Sequence, residues 1–154
     1  MVDYKTIIEK LNLQPLAVEG GYFDKIITLT DDSNNEIGSS IYFLVTPDSF
    51  SSLHKVLKDE IWYFLEGDPL VQIQLNENDE FVEYELGKVS EGKKAVSLVS
   101  KNVWQATKLK EGGSWALVAT VVVPGFEETD FISYDHRILN KFKNICDIEK
   151  YIYK

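Results

Sequence analysis

His54 and Glu60 are the residues of this chain best placed to do chemistry. The chain has two histidines, His54 and His136, so imidazole chemistry has few possible positions. A tight turn over 57–59 predicts a hairpin that brings His54 and Glu60 to the same end. A neighbouring carboxylate favours the charged imidazole and fixes its tautomer, so the pair suits a general base or a metal ligand. A hydrogen-bonded structural histidine and a carboxylate at a barrel rim remain the alternative.

Four further residues are candidates for ligand binding: Trp62, Gln105, Tyr42 and Glu19. Trp62 shares the face of Glu60 by strand alternation, and its ring could stack on a sugar or a base, as could Tyr42. Glu19 precedes two glycines, whose backbone freedom could bring its carboxylate to a barrel mouth. The alternatives are that these aromatic rings belong to the core and that the glycines form a plain turn.

The elements that must position these residues are mostly short strands. Asp3 can cap an opening helix whose apolar stripe is Ile7, Ile8 and Leu11. Nine strands are predicted, over residues 22–29, 40–46, 51–56, 60–65, 70–75, 81–86, 95–99, 103–108 and 115–123. Strands at this spacing predict an all-β sandwich or barrel over about residues 20–132. A helix over about residues 137–153 is expected to cover an open end or edge of that barrel.

The composition restricts partners and location. With 16 basic and 25 acidic residues the net charge is -9, which disfavours nucleic acid and anionic membrane surfaces as partners. The single cysteine, Cys146, excludes an internal disulfide and a cysteine-rich zinc site. A length of 154 residues favours one domain, and no segment reads as a signal peptide or a membrane span. We therefore expect a cytoplasmic, single-domain protein.

Two short motifs resemble those of the cupin superfamily. The first cupin motif reads His-x-His, three or four residues, Glu, six residues, Gly, and it fits His54, Glu60 and Gly67, with Val56 at the second histidine. The second motif ends in a histidine, where this chain has Gln105. The metal ligands of a typical cupin therefore correspond here to His54, Glu60 and Gln105.

Longer segments resemble the fifth cupin subfamily, a group of small single-domain proteins without an established activity. They are residues 19–23, 40–44, 59–70, 103–106, 123–126 and 130–131. The resemblance implies a double-stranded β-helix, the cupin jelly-roll barrel, with short N-terminal and C-terminal helices. It also implies a homodimer, as do β-edges that need covering. Trp104 has the opposite parity to Gln105, so an outward Trp104 would suit that dimer interface.

The leading functional hypothesis is an isomerase or epimerase for a carbohydrate-like small molecule, because subfamily members resemble sugar-nucleotide epimerases in fold. His54 would abstract a proton beside a carbonyl, Glu60 would orient the imidazole, and Gln105 or Tyr42 would hold the substrate oxygen. The alternatives are a non-catalytic module that binds a sugar or nucleotide, and an enzyme with a weak divalent metal ion at His54, Glu60 and Gln105. One His, one Glu and one Gln fall short of the usual three strong donors, so no cofactor is assigned.

Overall fold

The computed structural model describes residues 2–152, and the strands of that part of the chain form two antiparallel sheets. The strands are β1 (Gln14–Pro15), β2 (Tyr22–Thr30), β3 (Glu36–Val45), β4 (Ser51–Val56), β5 (Asp59–Gly67), β6 (Leu70–Leu75), β7 (Phe81–Leu86), β8 (Val96–Val99), β9 (Trp104–Leu109), β10 (Ala116–Val123) and β11 (Phe131–Ser133). One sheet has the order β1-β2-β3-β10-β5-β8, and the other has the order β11-β4-β9-β6-β7. This is the predicted all-β jelly roll.

All nine predicted strands are present, with ends that differ from the prediction by a few residues. The two strands that the sequence did not predict are β1 and β11, which are too short to show an alternating pattern. The inward faces of the two sheets pack an apolar core that includes Phe43, Trp62 and Val118.

The opening helix, α1 (Tyr4–Leu11), forms as predicted, with the Asp3 side chain accepting a hydrogen bond from the backbone of Lys5. Its apolar stripe packs on the outer face of the six-stranded sheet. This outer cluster includes Leu44, Leu117 and Tyr42.

The C-terminal segment differs from the prediction of one helix over about residues 137–153. It forms α2 (His136–Lys143) and then a separate 3-10 helix (Ile148–Tyr151), and residue 153 lies outside the described residues. Phe142 and Ile148 pack against Leu53 and Ile73, on the outer face of the five-stranded sheet. The segment therefore covers a sheet face and not a barrel end, because β4 and β6 present apolar residues on that face. No helix within residues 2–152 is long and apolar enough to span a bilayer.

The predicted hairpin of His54 and Glu60 is wrong. β4 pairs with β9 and β11, whereas β5 pairs with β8 and β10 in the other sheet. The short turn after Val56 thus crosses between the sheets, which a spacing of residues cannot distinguish from a hairpin turn. His54 and Glu60 face each other across the interior instead of lying side by side.

Phe142 anchors the C-terminal segment, so its truncation should destabilise the fold. The side chain is fully buried and meets Phe81 edge to face at 6.5 Å. We expect Phe142→Ala to lower the free energy of unfolding by about 3–5 kcal/mol, measured by urea denaturation. Lys143→Ala, at the exposed neighbouring position, is the control and should change it by less than about 0.5 kcal/mol. An equal effect of both variants would contradict the packing described.

Candidate functional site

A cavity of about 590 Å³ lies between the two sheets, and His54, Glu60 and Glu19 contribute to its wall. Both sheets line it: β2, β3, β5 and β10 from one side, and β4 and β11 from the other. Val56 lines it together with His54, as the predicted alternation along β4 requires. Three of the candidate residues named from the sequence, His54, Glu60 and Glu19, thus line the same cavity.

His54 is held in one tautomer by the backbone of its own strand. The ring is 1% exposed, and its Nδ1 lies 2.7 Å from the carbonyl oxygen of Ser52. A carbonyl can only accept, so Nδ1 carries a proton and Nε2 holds the lone pair of the neutral ring. The ring of Phe131 stacks on the imidazole with a centroid distance of 5.0 Å. The Ser52 carbonyl, and not Glu60 as the sequence predicted, therefore orients the imidazole.

Glu19 lies beside Nε2 of His54, the ring nitrogen that does not contact the Ser52 carbonyl. Its Oε1 is 3.8 Å from His54 Nε2 and accepts a hydrogen bond of 2.6 Å from Ser51 Oγ. The two following glycines have positive φ, and a Cβ at Gly21 would come within 2.2 Å of the Phe43 ring. The glycine pair therefore does more than form a plain turn, because its positive φ angles and its close approach to Phe43 accompany the placement of Glu19 at the cavity.

Glu60 is buried, and two nitrogen donors hold one of its oxygens. Its Oε1 accepts a hydrogen bond of 3.1 Å from Trp62 Nε1 and one of 3.0 Å from Gln105 Nε2. β9 pairs with β4 so that Gln105 lies directly opposite His54. Gln105 and Trp62 therefore fix the position of Glu60 through these hydrogen bonds, and neither residue lines the cavity.

Tyr42 is not brought to the site. Strand alternation on β3 turns Ser39 and Ile41 towards the cavity, which leaves Tyr42 on the outer face, packed with the α1 cluster. Trp104 also points outward, where it packs against the C-terminal cluster and beneath the Lys55 ammonium, 5.1 Å from the ring centroid.

Sequence reasoning missed the aromatic residues that do line the cavity: Phe23, Phe126 and Phe131. The alternation of side chains along β2 places Phe23 on the same face as Lys25, and both residues line the cavity. This alternation is the sequence signal that could have identified Phe23. Phe126 and Phe131 follow the last predicted strand, and no periodic pattern there shows that the chain returns to the cavity.

Comparison with known proteins agrees with this architecture. The family model described as "Cupin superfamily (DUF985)" matches residues 5–133, most of the chain. The chain therefore belongs to the cupin superfamily. No curated protein matches the chain.

Solved structures similar to this cupin include two of nearly the same length. A protein from Shewanella oneidensis has a TM-score of 0.86 and 26% identity, covering 99% of this chain and 98% of that one. A hypothetical protein from Leishmania major has a TM-score of 0.83 and 24% identity, covering 99% and 100%. A variant of oxalate decarboxylase from Bacillus subtilis has a TM-score of 0.62 and 16% identity, covering 93% of this chain and 40% of that one. Oxalate decarboxylase from that organism has Mn(II) centres. The cupin fold supports a protein that binds a small molecule or a metal.

The donor set of this cupin does not fit a tightly held divalent ion. Gln105 turns its N–H group towards Glu60, and the Glu60 oxygen that it meets already accepts a second hydrogen bond. Within residues 2–152 no three His, Cys, Asp or Glu side chains are grouped as metal ligands. A tight site for a transition metal usually has three strong donors, and here His54 and Glu60 are the only such donors among the three motif positions.

The surroundings of Glu60 favour its protonated form. Burial raises the pKa of the Glu60 carboxyl above its ordinary value of 4.5, and the negative charge of Glu19 raises it further. His54 and the hydrogen bonds from Gln105 and Trp62 oppose this with smaller effects. The balance leaves a carboxyl group that keeps its proton to higher pH than an exposed glutamate.

The raised pKa of Glu60 predicts a specific pH dependence of stability. The folded protein binds the Glu60 proton more tightly than the unfolded chain, so this group destabilises the fold as the pH rises from 4.5 through the folded pKa. Glu60→Gln should remove that loss, so the free energy of unfolding of the variant should exceed that of the wild type by an amount that grows with pH. The full difference should be about 1.4 kcal/mol for each unit by which the Glu60 pKa is raised.

Urea denaturation of both proteins from pH 4 to pH 8, in steps of about one unit, measures the difference. Groups that do not interact with Glu60 cancel in it, including Glu85, whose pKa Lys110 and Lys93 lower to about 2. A difference that does not change with pH would show that the Glu60 pKa is not raised.

Proposed function

We propose that this cupin binds a small carbonyl compound in the cavity and transfers a proton at the carbon beside the carbonyl, as isomerases and epimerases do. The observation that carries the proposal is that His54 and Glu60, an imidazole and a buried carboxyl with a raised pKa, line the same cavity. The Ser52 carbonyl places the proton of a neutral His54 ring on Nδ1, which leaves Nε2 able to accept a proton. Pairs whose surroundings separate their proton affinities in this way supply a base and an acid to one reaction.

His54 is the base in this proposal. The Ser52 carbonyl fixes its Nδ1–H, so Nε2 accepts the proton from the substrate carbon without a change of tautomer. The imidazolium that forms lies 3.8 Å from the Glu19 carboxylate. That carboxylate stabilises the positive charge, and Ser51 holds it in place.

Glu60 is the acid. Its Oε1 accepts both hydrogen bonds from Trp62 and Gln105, which leaves the proton for Oε2. Oε2 donates this proton to the carbonyl oxygen while His54 removes the proton from carbon, and the product of the step is a neutral enol. The two donors on Oε1 then stabilise the carboxylate that remains.

The reverse transfers complete the cycle. The imidazolium returns a proton to carbon, and the enol hydroxyl returns its proton to Glu60. Reprotonation at the opposite face or at a neighbouring atom of a conjugated substrate gives an epimer or an isomer. Reprotonation at the original position exchanges the hydrogen with solvent, so exchange reports the chemistry even before a natural substrate is known.

Loss of His54 should abolish this exchange. In deuterated water, proton NMR of small ketones and aldehydes is expected to show loss of the signal beside the carbonyl when the wild-type protein is added. His54→Ala should slow the exchange by about 10²–10⁴-fold, the usual contribution of a general base. Its melting temperature should remain within a few degrees of the wild type.

His136→Ala is the matched control, because His136 is exposed at the start of α2 and does not line the cavity. It should retain full exchange activity. Equal exchange rates in the wild type and in His54→Ala would contradict the proposed base. Saturable binding without exchange of any carbonyl compound would instead favour the non-catalytic binding module.

A further inference from the structure

We infer that the cavity selects an uncharged, largely apolar carbonyl compound and rejects carboxylates, phosphates and free sugars. The carbonyl group in this statement rests on the proposed function. The apolar and uncharged character rests on the cavity walls alone. This ligand class differs from the carbohydrate-like molecule that the sequence led us to expect.

The walls away from His54 are mainly apolar. Phe23, Ile41 and Val122 belong to the six-stranded sheet, Phe131 belongs to the five-stranded sheet, and Phe126 lies in the segment between β10 and β11. A sugar would bring several hydroxyl groups against these side chains, and each buried hydroxyl without a partner costs about 1–3 kcal/mol. An apolar ligand gains free energy from the same contacts.

The few polar groups of the wall offer little to a sugar. Ser39 Oγ already accepts a hydrogen bond of 3.2 Å from the backbone of Phe126. Glu19 and Glu60 lie close to His54, where these three groups suit a single polar head. The cavity therefore presents one polar end and an apolar body.

The charges of the cavity oppose an anion. Glu19 lies beside His54 at the polar end, and Glu128 is a further acidic lining residue, whereas a protonated Glu60 adds no negative charge. Lys25 is the single Lys or Arg among the lining residues of the described chain, and its ammonium is engaged by Glu36 at 3.0 Å. An anionic head would thus approach the Glu19 carboxylate without an unpaired lysine or arginine to compensate.

The volume sets the size of the ligand. A cavity of 590 Å³ holds at most about 20 water-sized groups, at about 30 Å³ for each. A two-ring ketone fits within this limit. Methyl naphthyl ketone and naphthoate have the same number of non-hydrogen atoms and differ mainly in charge, which makes them a matched pair of probes.

Titration calorimetry of the full chain at neutral pH with these two probes and with glucose tests the inference. We expect the ketone to bind at least ~10-fold more tightly than naphthoate, a difference of about 1.4 kcal/mol, and glucose to show no binding. Glu19→Gln should narrow the gap between ketone and naphthoate, since it removes a negative charge while keeping an acceptor for Ser51. Naphthoate or glucose binding as tightly as the ketone, or absence of ketone binding, would overturn the inference.

A pair of neighbouring substitutions places the binding in the cavity. Val122→Phe fills the cavity and should weaken ketone binding at least ~10-fold, whereas Val121→Phe changes the opposite face of β10 and should leave it unchanged. Ile41→Phe fills the same cavity from β3 and replaces Val122→Phe if that variant does not fold. Unchanged ketone binding in the filled variants would place the ligand elsewhere and overturn the inference.

The binding experiment tests the inferred ligand class and the exchange experiment tests the proposed function, so each can fail without the other. Ketone binding with the expected preference but without hydrogen exchange would overturn the proposed function and leave the inferred ligand class intact. Hydrogen exchange of carbonyl compounds together with tighter binding of naphthoate would support the proposed function and overturn the inferred ligand class.

Discussion

The site depends on the burial of one carboxyl group between two sheets. Glu60 is 8% exposed, and the core position of β5 that it occupies would suit an apolar side chain. A carboxylate there is costly unless it is paired, hydrogen-bonded or protonated. Trp62 and Gln105 satisfy one oxygen, and burial together with the Glu19 charge raises the pKa of the carboxyl.

The topology supplies the second half of the site. Because the turn after Val56 crosses between sheets, His54 and Glu60 come from opposite walls, and a substrate can lie between them. The segment before β2 adds Glu19, and β11 returns Phe131 to stack on the imidazole. The helices contribute by covering outer sheet faces, which leaves the interior to the cavity. Positions fixed by strands are more precise than positions on free loops.

Much of this could be predicted from the sequence, since alternation and motif spacing are local properties. The parity of His54 with Val56 and of Glu60 with Trp62 follows from the two-residue period of a strand. Pairing between sheets is not local, so the hairpin prediction for His54 and Glu60 was wrong. The prediction that Tyr42 lies at the site was wrong, because the residue type alone does not show whether an aromatic side chain on a strand faces inward or outward. The roles of the Ser52 carbonyl and Phe131 depend on contacts that no spacing shows.

The most direct test of this account is the protonation of His54 and Glu60 in the free protein, followed from pH 4 to pH 8. Nitrogen-15 and carbon-13 NMR of labelled protein, with His54→Ala and Glu60→Gln to assign the signals, measures both groups. The account predicts a neutral His54 ring with its proton on Nδ1, and a Glu60 carboxyl that keeps its proton to higher pH than an exposed glutamate. A neutral imidazole with its proton on Nε2, or a Glu60 that ionises like an exposed glutamate, would contradict it.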